Sequence, residues 1–516
     1  MQWRLRAAGR ARTLAADPAA NETSLNQTAA PEPLSARQQA ALNRSGRLGV
    51  GLKTVYGSGN VVDGMNSAVL GGFLFFYLTA VCGLSGSQAG IASFLALGID
   101  ALADPLIGSI SDNSGSPWGR RHPFMIASVL PLAIMFGMMF SIPPALRGWG
   151  LFGYITAMII GLRISVSLFN VPYVAMGAEL SDDYAERSSI VVFRILFAVL
   201  ASIAATKLSY GGFLKGSALI SRAAYAPFGW TCAAIVAGAA IFATLATLRA
   251  RGRLHPAAPN REPAFKRLAL EVVEVFRNPS FRALFLAAVI FFVAQGVGGT
   301  VGLHANKYFW RLPTAVIQSL GYASAAGLVV GLPISFAMGR LLEKRTAVMI
   351  SLLVICICQF APTILQLTGV MPQGAALRGI LIGNTVIAYA MITCALVAFQ
   401  SMAADAADEH EHLYFARREG LFFAGLSFAA KAAAGGGTLI AGICLDLVGF
   451  PSDVAAHGGE HLVISHATYV GLGIIHGPVA GLGTMLSALL LTGYRLDKQA
   501  HARLLGELGG RRKQAG

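Results

Sequence analysis

The sequence predicts an all-α polytopic membrane protein with twelve transmembrane helices in two six-helix bundles. Of its 516 residues, 55% are hydrophobic and only 13% are charged, which is about half the charged fraction of a soluble protein. Apolar runs of roughly 20 residues, the length that crosses a bilayer as a helix, recur along the chain. A closed transmembrane barrel would instead show strict alternation of apolar and polar residues, and the sequence has no such alternation.

The apolar segments number twelve and divide evenly. The longest polar interruption, from Arg249 to Ser280, lies between the sixth and seventh segments. We therefore predict a disordered cytosolic arm at 1–48, a six-helix bundle at 49–248, a cytosolic central loop at 249–280, a second six-helix bundle at 281–494 and a cytosolic tail at 495–516. The twelve segments span approximately residues 55–80, 88–112, 123–142, 150–178, 189–213, 226–248, 282–306, 314–338, 346–368, 377–403, 419–446 and 466–493.

The positive charge predicts the topology. The formal net charge is +15, and an excess of Lys and Arg marks the cytosolic loops of membrane proteins. With the N-terminus inside, the cytosolic arms and loops receive thirty of the 40 Lys and Arg residues, and the outer loops receive six. We expect a multi-pass protein of the plasma membrane (the inner membrane of a bacterium), with both termini cytosolic. This distribution accounts for the charge without a nucleic-acid partner.

Asp100 and Asp104 lie near the middle of the second segment. Their i, i+4 spacing places both carboxylates on one helix face, and a charge in the hydrocarbon core costs at least about 2.5 kcal/mol. Two close carboxylates in a low dielectric do not both stay ionised unless a cation lies between them. The pair is therefore predicted to bind a proton or sodium, and the alternative is a pair neutralised by structural salt bridges.

The fourth segment carries a polar stripe that includes Arg163, Ser167 and Asn170 and continues to Val174. Steps of four and three residues place these positions on one helix face. The stripe is predicted to line a cavity, although Ser167 and Asn170 could instead only join neighbouring helices.

Three further charges lie within apolar segments: Asp63 in the first, Arg194 in the fifth and Lys431 in the eleventh. A lysine at the depth of Lys431 requires a carboxylate partner or a changed protonation state. We expect Arg194 and Lys431 to neutralise the aspartates or bind a polar ligand, and Asp63 to face the cavity. Lys207 lies near a helix end, where its side chain can reach the membrane surface, so it is given no role.

Two charged clusters flank the predicted cytosolic ends of helices. One is the turn "SDNSGSPWGRRHPF" with Asp112, Arg120 and Arg121, and the other is "DAADEHEHLYFARREG". Opposite charges at a cytosolic gate can pair in one conformation and separate in another. The alternative is ordinary solvated loop charge.

Three stretches together resemble the glycoside–pentoside–hexuronide:cation symporters, the melibiose permease group of the major facilitator superfamily. They are "DALADPLIGSISD…WGRRHPF", "FNVPYVAMGAELSDDYAERSSIVVFR" and "DAAD…RREG…K", and the resemblance runs from about Lys53 to about Tyr494. It implies a major facilitator fold. It also implies cation binding by Asp100, Asp104 and Ser167, substrate contact or coupling by Asn170, Arg194 and Lys431, and gating by Asp405, Asp408 and Arg417.

Departures from the family pattern change the expected ion and solute. Sodium-using members carry an asparagine where this chain has Ala103, so the coupling ion is expected to be a proton. The first-helix aspartate of galactoside-binding members falls on Gly64, next to Asp63. Their fourth-helix and tenth-helix tryptophans fall on Val174 and near Gln400. A simple galactoside is therefore not expected, and an amphipathic solute remains open because eukaryotic lysolipid transporters share this fold and signature.

The function predicted from the sequence is secondary active transport: symport of a glycoside, uronide or related organic solute with a cation, by alternating access. We expect a monomer in the lipid bilayer that uses no cofactor and is not an enzyme. The alternative of a lysolipid or other amphipathic solute remains open. A remote alternative is a Mg²⁺-dependent intramembrane prenyltransferase, since "DALAD" and "DAAD" are aspartate-rich.

Overall fold

Long helices dominate the molecule, as the sequence predicts. The computed structural model describes residues 47–253, 276–414 and 419–515, except 182, 455, 458, 460 and 461. Nearly all of the predicted N-terminal arm and most of the predicted central loop lie outside these residues. The helices after the first span are α2 (Gly86–Asp112), α3 (His122–Phe140), α4 (Gly148–Glu179), α5 (Tyr184–Leu208), α6 (Arg222–Thr247), α7 (Pro279–His304), α8 (Thr314–Leu341), α9 (Lys344–Leu367), α10 (Ala375–Tyr414), α11 (Glu419–Leu447), α12 (His466–Ile474 and, after a π turn, Ala480–Leu490) and α13 (Lys498–Ala515).

The helix count agrees with the prediction once the first segment is examined. Within the described ranges, eleven helices are long and apolar enough to cross a membrane, and these are α2 to α12. The first segment is also helical but is divided into short pieces, together called α1. The pieces of α1 are the helices Val50–Ser58 and Val61–Val69 and the π turns Leu70–Leu74 and Tyr77–Val81.

Gly59 and Asn60 separate the first two pieces of α1, and Gly and Asn are weak helix formers. Gly59 faces the ring of Tyr173, where a Cβ would approach the ring to 2.6 Å. At Gly64 a Cβ would overlap the carbonyl oxygen of Ala198 in α5. The chain therefore has no room for a side chain at Gly64.

Capping residues fix several helix starts. The Ser85 hydroxyl accepts a hydrogen bond from the Gln88 amide, and the Gln88 side chain accepts one from the Ser85 amide, which forms a capping box. Asp183 caps α5 by accepting from the Glu186 amide at 2.9 Å. Asn278 caps α7, whose first residue is Pro279, a residue suited to that position because it lacks the N–H that a helix start leaves unpaired.

The helices form two groups that meet at two long contacts. In the first half, α1 packs against α5 and α6, while α4 packs against α2 and α3. In the second half, α10 packs against α8 and α9, while α7 packs against α11 and α12. Helices α2 and α11 form the main contact between the halves, and α5 and α8 form a second one.

Helix α10 differs from its predicted segment. The apolar pattern predicts residues 377–403, but the helix continues to Tyr414. The added turns contain Ala, Glu, Asp and His without Gly or Pro. Because no residue here breaks a helix, α10 continues beyond its apolar segment.

Candidate functional site

Close packing of α2 and α11 brings the charged residues of the two helices together. Small residues make the approach possible. A Cβ at Gly90 would lie 2.9 Å from the Leu439 Cα, and one at Gly435 would lie 3.1 Å from Leu97. Because both backbones are this close, side chains further along the same faces meet across the boundary between the halves.

Lys431 of α11 reaches both aspartates of α2. Its Nζ lies 3.0 Å from Asp100 Oδ2 and also donates a hydrogen bond to Asp104 Oδ2. The Asp100 side chain is only 5% exposed, whereas those of Asp104 and Lys431 are 30% and 34% exposed. The ammonium group therefore lies between two carboxylates, of which that of Asp104 is accessible.

Helix α4 completes the surroundings of Asp100. The Ser167 hydroxyl donates a hydrogen bond of 2.6 Å to Asp100 Oδ1. Arg163 lies one turn earlier on the same face, and its Nη1 is 4.0 Å from Asp100 Oδ2. Both carboxylate oxygens of Asp100 thus have a partner, as a buried charge requires. We refer to Asp100, Asp104, Arg163, Ser167 and Lys431 as the charged cluster.

A second polar group lies beside the charged cluster, between α1 and α5. Arg194 Nε and Nη2 each lie 3.4 Å from Asn60 Oδ1, and the guanidinium lies over the Tyr173 ring at 5.3 Å. Asn60 in turn donates to the Arg194 carbonyl at 3.1 Å. Asp63 is half-buried and interacts electrostatically with Arg194, Lys431, Arg163 and Asp100. Five helices (α1, α2, α4, α5 and α11) thus contribute charge to one region.

Three of the predicted substrate residues lie apart from these contacts. Asn170 is half-buried on α4, Val174 is 40% exposed and Gln400 is exposed on α10. Among the described residues none of the three forms a hydrogen bond or ion pair with the charged cluster. They remain candidates for binding a solute.

The predicted gating residues of the first half form a compact ion-pair group. Arg121 pairs with Asp112 at 2.9 Å and with Glu179 at 2.6 Å, and Arg120 also pairs with Glu179. Sequence reasoning missed Glu179. Glu179 could have been noticed as an acidic residue directly after the fourth predicted segment, within the stretch "FNVPYVAMGAELSDDYAERSSIVVFR".

The predicted gating residues of the second half, Asp405 and Asp408, pair with residues of the same half. Lys344 donates to both oxygens of Asp405 at 2.8 Å. His501 of α13 lies 3.1 Å from Asp408 and 3.6 Å from Asp405. Arg417 lies outside the described residues. The ion pairs of Arg121, Lys344 and His501 each join residues within one half, whereas pairing between the halves was expected as one state of a gate.

The opposite end of the bundle is held together by contacts between the halves. Asp446 accepts from the amides of Gly86 and Ser87 at 2.6 and 2.8 Å. The Val454 amide donates to the Ala80 carbonyl at 2.8 Å, and the Thr79 hydroxyl lies 2.9 Å from His304 Nε2. We call this the Gly86 end and the other the Arg120 end.

Twelve helical spans in two packed halves, with opposite charges meeting at the boundary, define a multi-pass membrane transporter of the major facilitator type. The chain belongs to the MFS/sugar transport protein family, whose model matches residues 55–498. The resemblance and the fold class predicted from the sequence are thereby confirmed. The protein is a symporter-type secondary transporter of a sugar-like solute and not an enzyme, so the prenyltransferase alternative is wrong.

Individual relatives agree with this assignment. An uncharacterized symporter, YnaJ, of Bacillus subtilis is 24% identical over 467 residues, which cover 89% of this chain and 95% of that protein. An uncharacterized symporter, sll1374, of Synechocystis is 33% identical over 156 residues, and this match spans only 29% of either chain. The crystal structure of a D-xylose-proton symporter has a TM-score of 0.57 at 15% identity, covering 87% of this chain and 98% of that one, and this shows the shared fold.

Proposed function

We propose that the protein couples the movement of a proton to that of a glycoside, uronide or related polar solute, with Asp100 and Asp104 as the proton-binding residues. The observation that carries the proposal is the position of the Lys431 ammonium between the two carboxylates. A lysine in this position is an internal substitute for the coupling cation. Binding of an external cation must therefore displace it.

The exchange follows from the charges of the pair. When Asp104 is protonated, one of the two negative charges that hold Lys431 is removed. The attraction between Lys431 and Asp104 falls most, because water can reach the Asp104 carboxylate. Lys431 can then turn towards a solute. Deprotonation after solute release restores the original ion pairs, so the two binding events are linked through one side chain.

A proton suits the donor set better than sodium does. Hard cations are held by several oxygen ligands, and the cluster offers oxygens from Asp100, Asp104 and Ser167. Ala103 provides no side-chain oxygen where sodium-using relatives have an amide. A proton requires only one carboxylate.

The solute is proposed to bind beside this cluster, in reach of Asp63, Asn170, Val174, Arg194 and Gln400 as well as Lys431. The arginine and lysine suit an acidic or hydroxyl-rich solute because both donate several hydrogen bonds. Asp63 and Asn170 supply acceptors for hydroxyl groups.

Alternating access is proposed to operate by rocking of residues 49–248 against 281–494. The Gly86 end is joined by hydrogen bonds between the halves, whereas Arg121 and Lys344 at the Arg120 end form ion pairs within their own halves. With both termini cytosolic, this arrangement corresponds to a conformation that faces the cytosol. The gating residues Asp112, Arg120, Arg121, Asp405, Asp408 and Arg417 would exchange partners when the halves close at the Arg120 end. We expect the protein to act as a monomer in the plasma membrane.

Uptake into proteoliposomes tests the proposal. Purified protein is reconstituted with an inside-alkaline pH gradient, and uptake is measured for radiolabelled methyl glycosides, the matching uronides and lysophosphatidylcholine, with and without sodium. We expect concentrative glycoside or uronide uptake that a protonophore abolishes and sodium does not restore. Asp104→Asn should lose accumulation, whereas Lys207→Ala should keep it as a charge-removal control outside the cluster.

Two results would contradict the proposal. Sodium-dependent uptake that the protonophore leaves intact would reject proton coupling. Uptake of lysophosphatidylcholine without any glycoside or uronide would reject the proposed solute and favour the amphipathic alternative.

A further inference from the structure

A cavity that the charged cluster does not line lies between the two halves. It occupies about 650 Å³ between helices α7 to α10 and α12 of the second half and helices α1 and α5 of the first. This volume is typical of sites that hold small organic ligands. Asp100, Asp104, Arg163, Arg194 and Lys431 do not line it. The sequence analysis assigned no role to any residue of this cavity.

The lining is polar but carries no fixed charge. Among the described residues that surround the cavity, there is no Asp, Glu, Lys or Arg. Besides hydroxyl groups of Ser, Thr and Tyr, four carboxamide side chains and one imidazole line it: Gln295, Asn306, Gln359, Asn384 and His476. Such side chains are costly within the membrane core unless they have partners, so their convergence on one cavity indicates a ligand with matching groups.

Existing hydrogen bonds leave specific atoms available to a ligand. Gln295 donates to Thr484 at 3.3 Å, and Thr484 donates to Gln359 Oε1 at 3.0 Å. Within the described part of the chain, this leaves the Gln359 amide hydrogens without an acceptor. Asn384 donates to the Cys358 carbonyl at 3.1 Å, which leaves Asn384 Oδ1 as an unused acceptor.

The imidazole of His476 adds one more acceptor. Its Nδ1 lies 3.2 Å from the Gly298 carbonyl oxygen. A carbonyl oxygen only accepts hydrogen bonds, so Nδ1 carries the hydrogen and Nε2 of the neutral ring is left as an acceptor. The cavity therefore presents both donors and acceptors. Hydroxyl groups need both, because each hydroxyl donates one hydrogen bond and accepts others.

Apolar surfaces alternate with these polar groups. Trp310, Tyr389 and Phe292 line the cavity, and aromatic rings pack well against the C–H face of a sugar ring. Gly72 and Gly299 also line it, and a Cβ at either position would meet no atom within 4 Å. Glycine at these positions keeps the space open between α1 and α7.

We propose that this cavity binds a neutral, hydroxyl-rich ring of the transported solute, a glycosyl unit, separately from the charged cluster. The inference rests on the proposed function, because it assumes a glycoside-type solute. A charged group would be poorly stabilised here, since no opposite charge is available to compensate its loss of water. Carboxamides and an aromatic wall satisfy a neutral polyol without that cost.

Filling the cavity tests the inference. Gly299→Leu on α7 places a side chain in the open space, and Gly383→Leu on α10 is the matched control because its Cβ also meets no atom within 4 Å and it does not line the cavity. Binding of methyl xyloside, methyl glucoside and methyl glucuronide is measured by calorimetry on the purified full-length protein. We expect Gly299→Leu to weaken binding at least about tenfold and Gly383→Leu to leave it unchanged.

Two further variants each remove one carboxamide group from the site. Asn384→Leu and Gln359→Leu each delete hydrogen-bonding groups, and each should weaken glycoside binding by about three- to tenfold. Size-exclusion chromatography confirms that each variant is folded. If these substitutions and Gly299→Leu leave glycoside affinity unchanged while the wild type binds, the inference is wrong and the proposed function stands. If no methyl glycoside or uronide binds the wild type, both are contradicted.

Discussion

The charged cluster and the uncharged cavity use polarity in opposite ways. In the cluster, Lys431 is paired with Asp100 and Asp104 across the boundary between the halves, so its energetics depend on a proton or another cation. In the cavity, carboxamides such as Gln359 and Asn384 carry no charge, so their energetics do not depend on protonation. In this account the neutral ring of the solute is recognised by the cavity, apart from the coupling residues, and Lys431 alone links coupling to the solute.

The largest effect should come from removing the internal cation. Lys431→Met leaves Asp100 buried with Arg163 as its remaining cationic partner, at 4.0 Å. We expect uphill accumulation to fall at least about 100-fold, since breaking a buried pair costs about 3–5 kcal/mol and each 1.4 kcal/mol is a factor of ten. The measurement is uptake into proteoliposomes under a pH gradient.

Glycoside binding to the same variant separates the two regions. Calorimetry on Lys431→Met should show affinity for methyl glucoside within about threefold of the wild type, because the cavity proposed to hold the neutral ring is unchanged. Methyl glucuronide should lose more affinity, since Lys431 is proposed to contact its carboxylate. Loss of methyl glucoside affinity equal to the loss of accumulation would mean that both regions form one site.

A smaller effect is expected from opening the Gly86 end. A Cβ at Gly442 would overlap the Gly86 carbonyl oxygen, so Gly442→Leu prevents α2 and α11 from meeting there. Uptake should fall by about tenfold, since a conformation that must form in each cycle is destabilised. Gly436→Leu, whose Cβ meets no atom within 4 Å, should retain wild-type uptake.

Accessibility labelling shows whether Gly442→Leu acts through conformation. A cysteine introduced at Ser87 should react faster with a membrane-impermeant maleimide in the Gly442→Leu background than in the wild type. Equal labelling rates with reduced uptake would show that the closed end is not what the substitution disturbs.

The last effect is measured on stability. Glu179 holds Arg120 and Arg121, and the side chains of Arg121 and Glu179 are 6% and 9% exposed. Glu179→Gln should lower the free energy of unfolding by about 2–4 kcal/mol, seen as a lower melting temperature in detergent. Asp112→Asn alters a 55% exposed partner of Arg121 and should cost under about 1 kcal/mol. Equal losses of unfolding free energy in the two variants would contradict the assignment of Arg121 and Glu179 as the buried pair.

The sequence predicted the fold well because hydropathy and length leave few alternatives in a membrane. All twelve apolar segments are helical. The interruptions of α1 were not predicted, since hydropathy does not register the glycines that allow α1 to approach α5. The extension of α10 to Tyr414 was missed because the apolar pattern ends before the helix does.

Residues that contact one another were easiest to select from the sequence where charge lies in apolar surroundings, and their roles stay predictions. Asp100, Asp104 and Lys431 were each selected by their cost in the hydrocarbon, and the structure places them in direct contact. Glu179 lies at a helix end, where an acidic residue carries no such cost. The cavity residues escaped notice because isolated Gln and Asn are common in helices, and only the tertiary packing brings Gln295, Gln359 and Asn384 together.

Proton movement driven by the solute tests the central proposal most directly. Proteoliposomes in weakly buffered medium without sodium are given a saturating concentration of the transported glycoside or uronide, and the external pH is recorded. We predict alkalinisation of the medium that Asp104→Asn abolishes and Lys207→Ala preserves. Solute uptake by the wild type with no change in external pH would contradict proton coupling at Asp100 and Asp104.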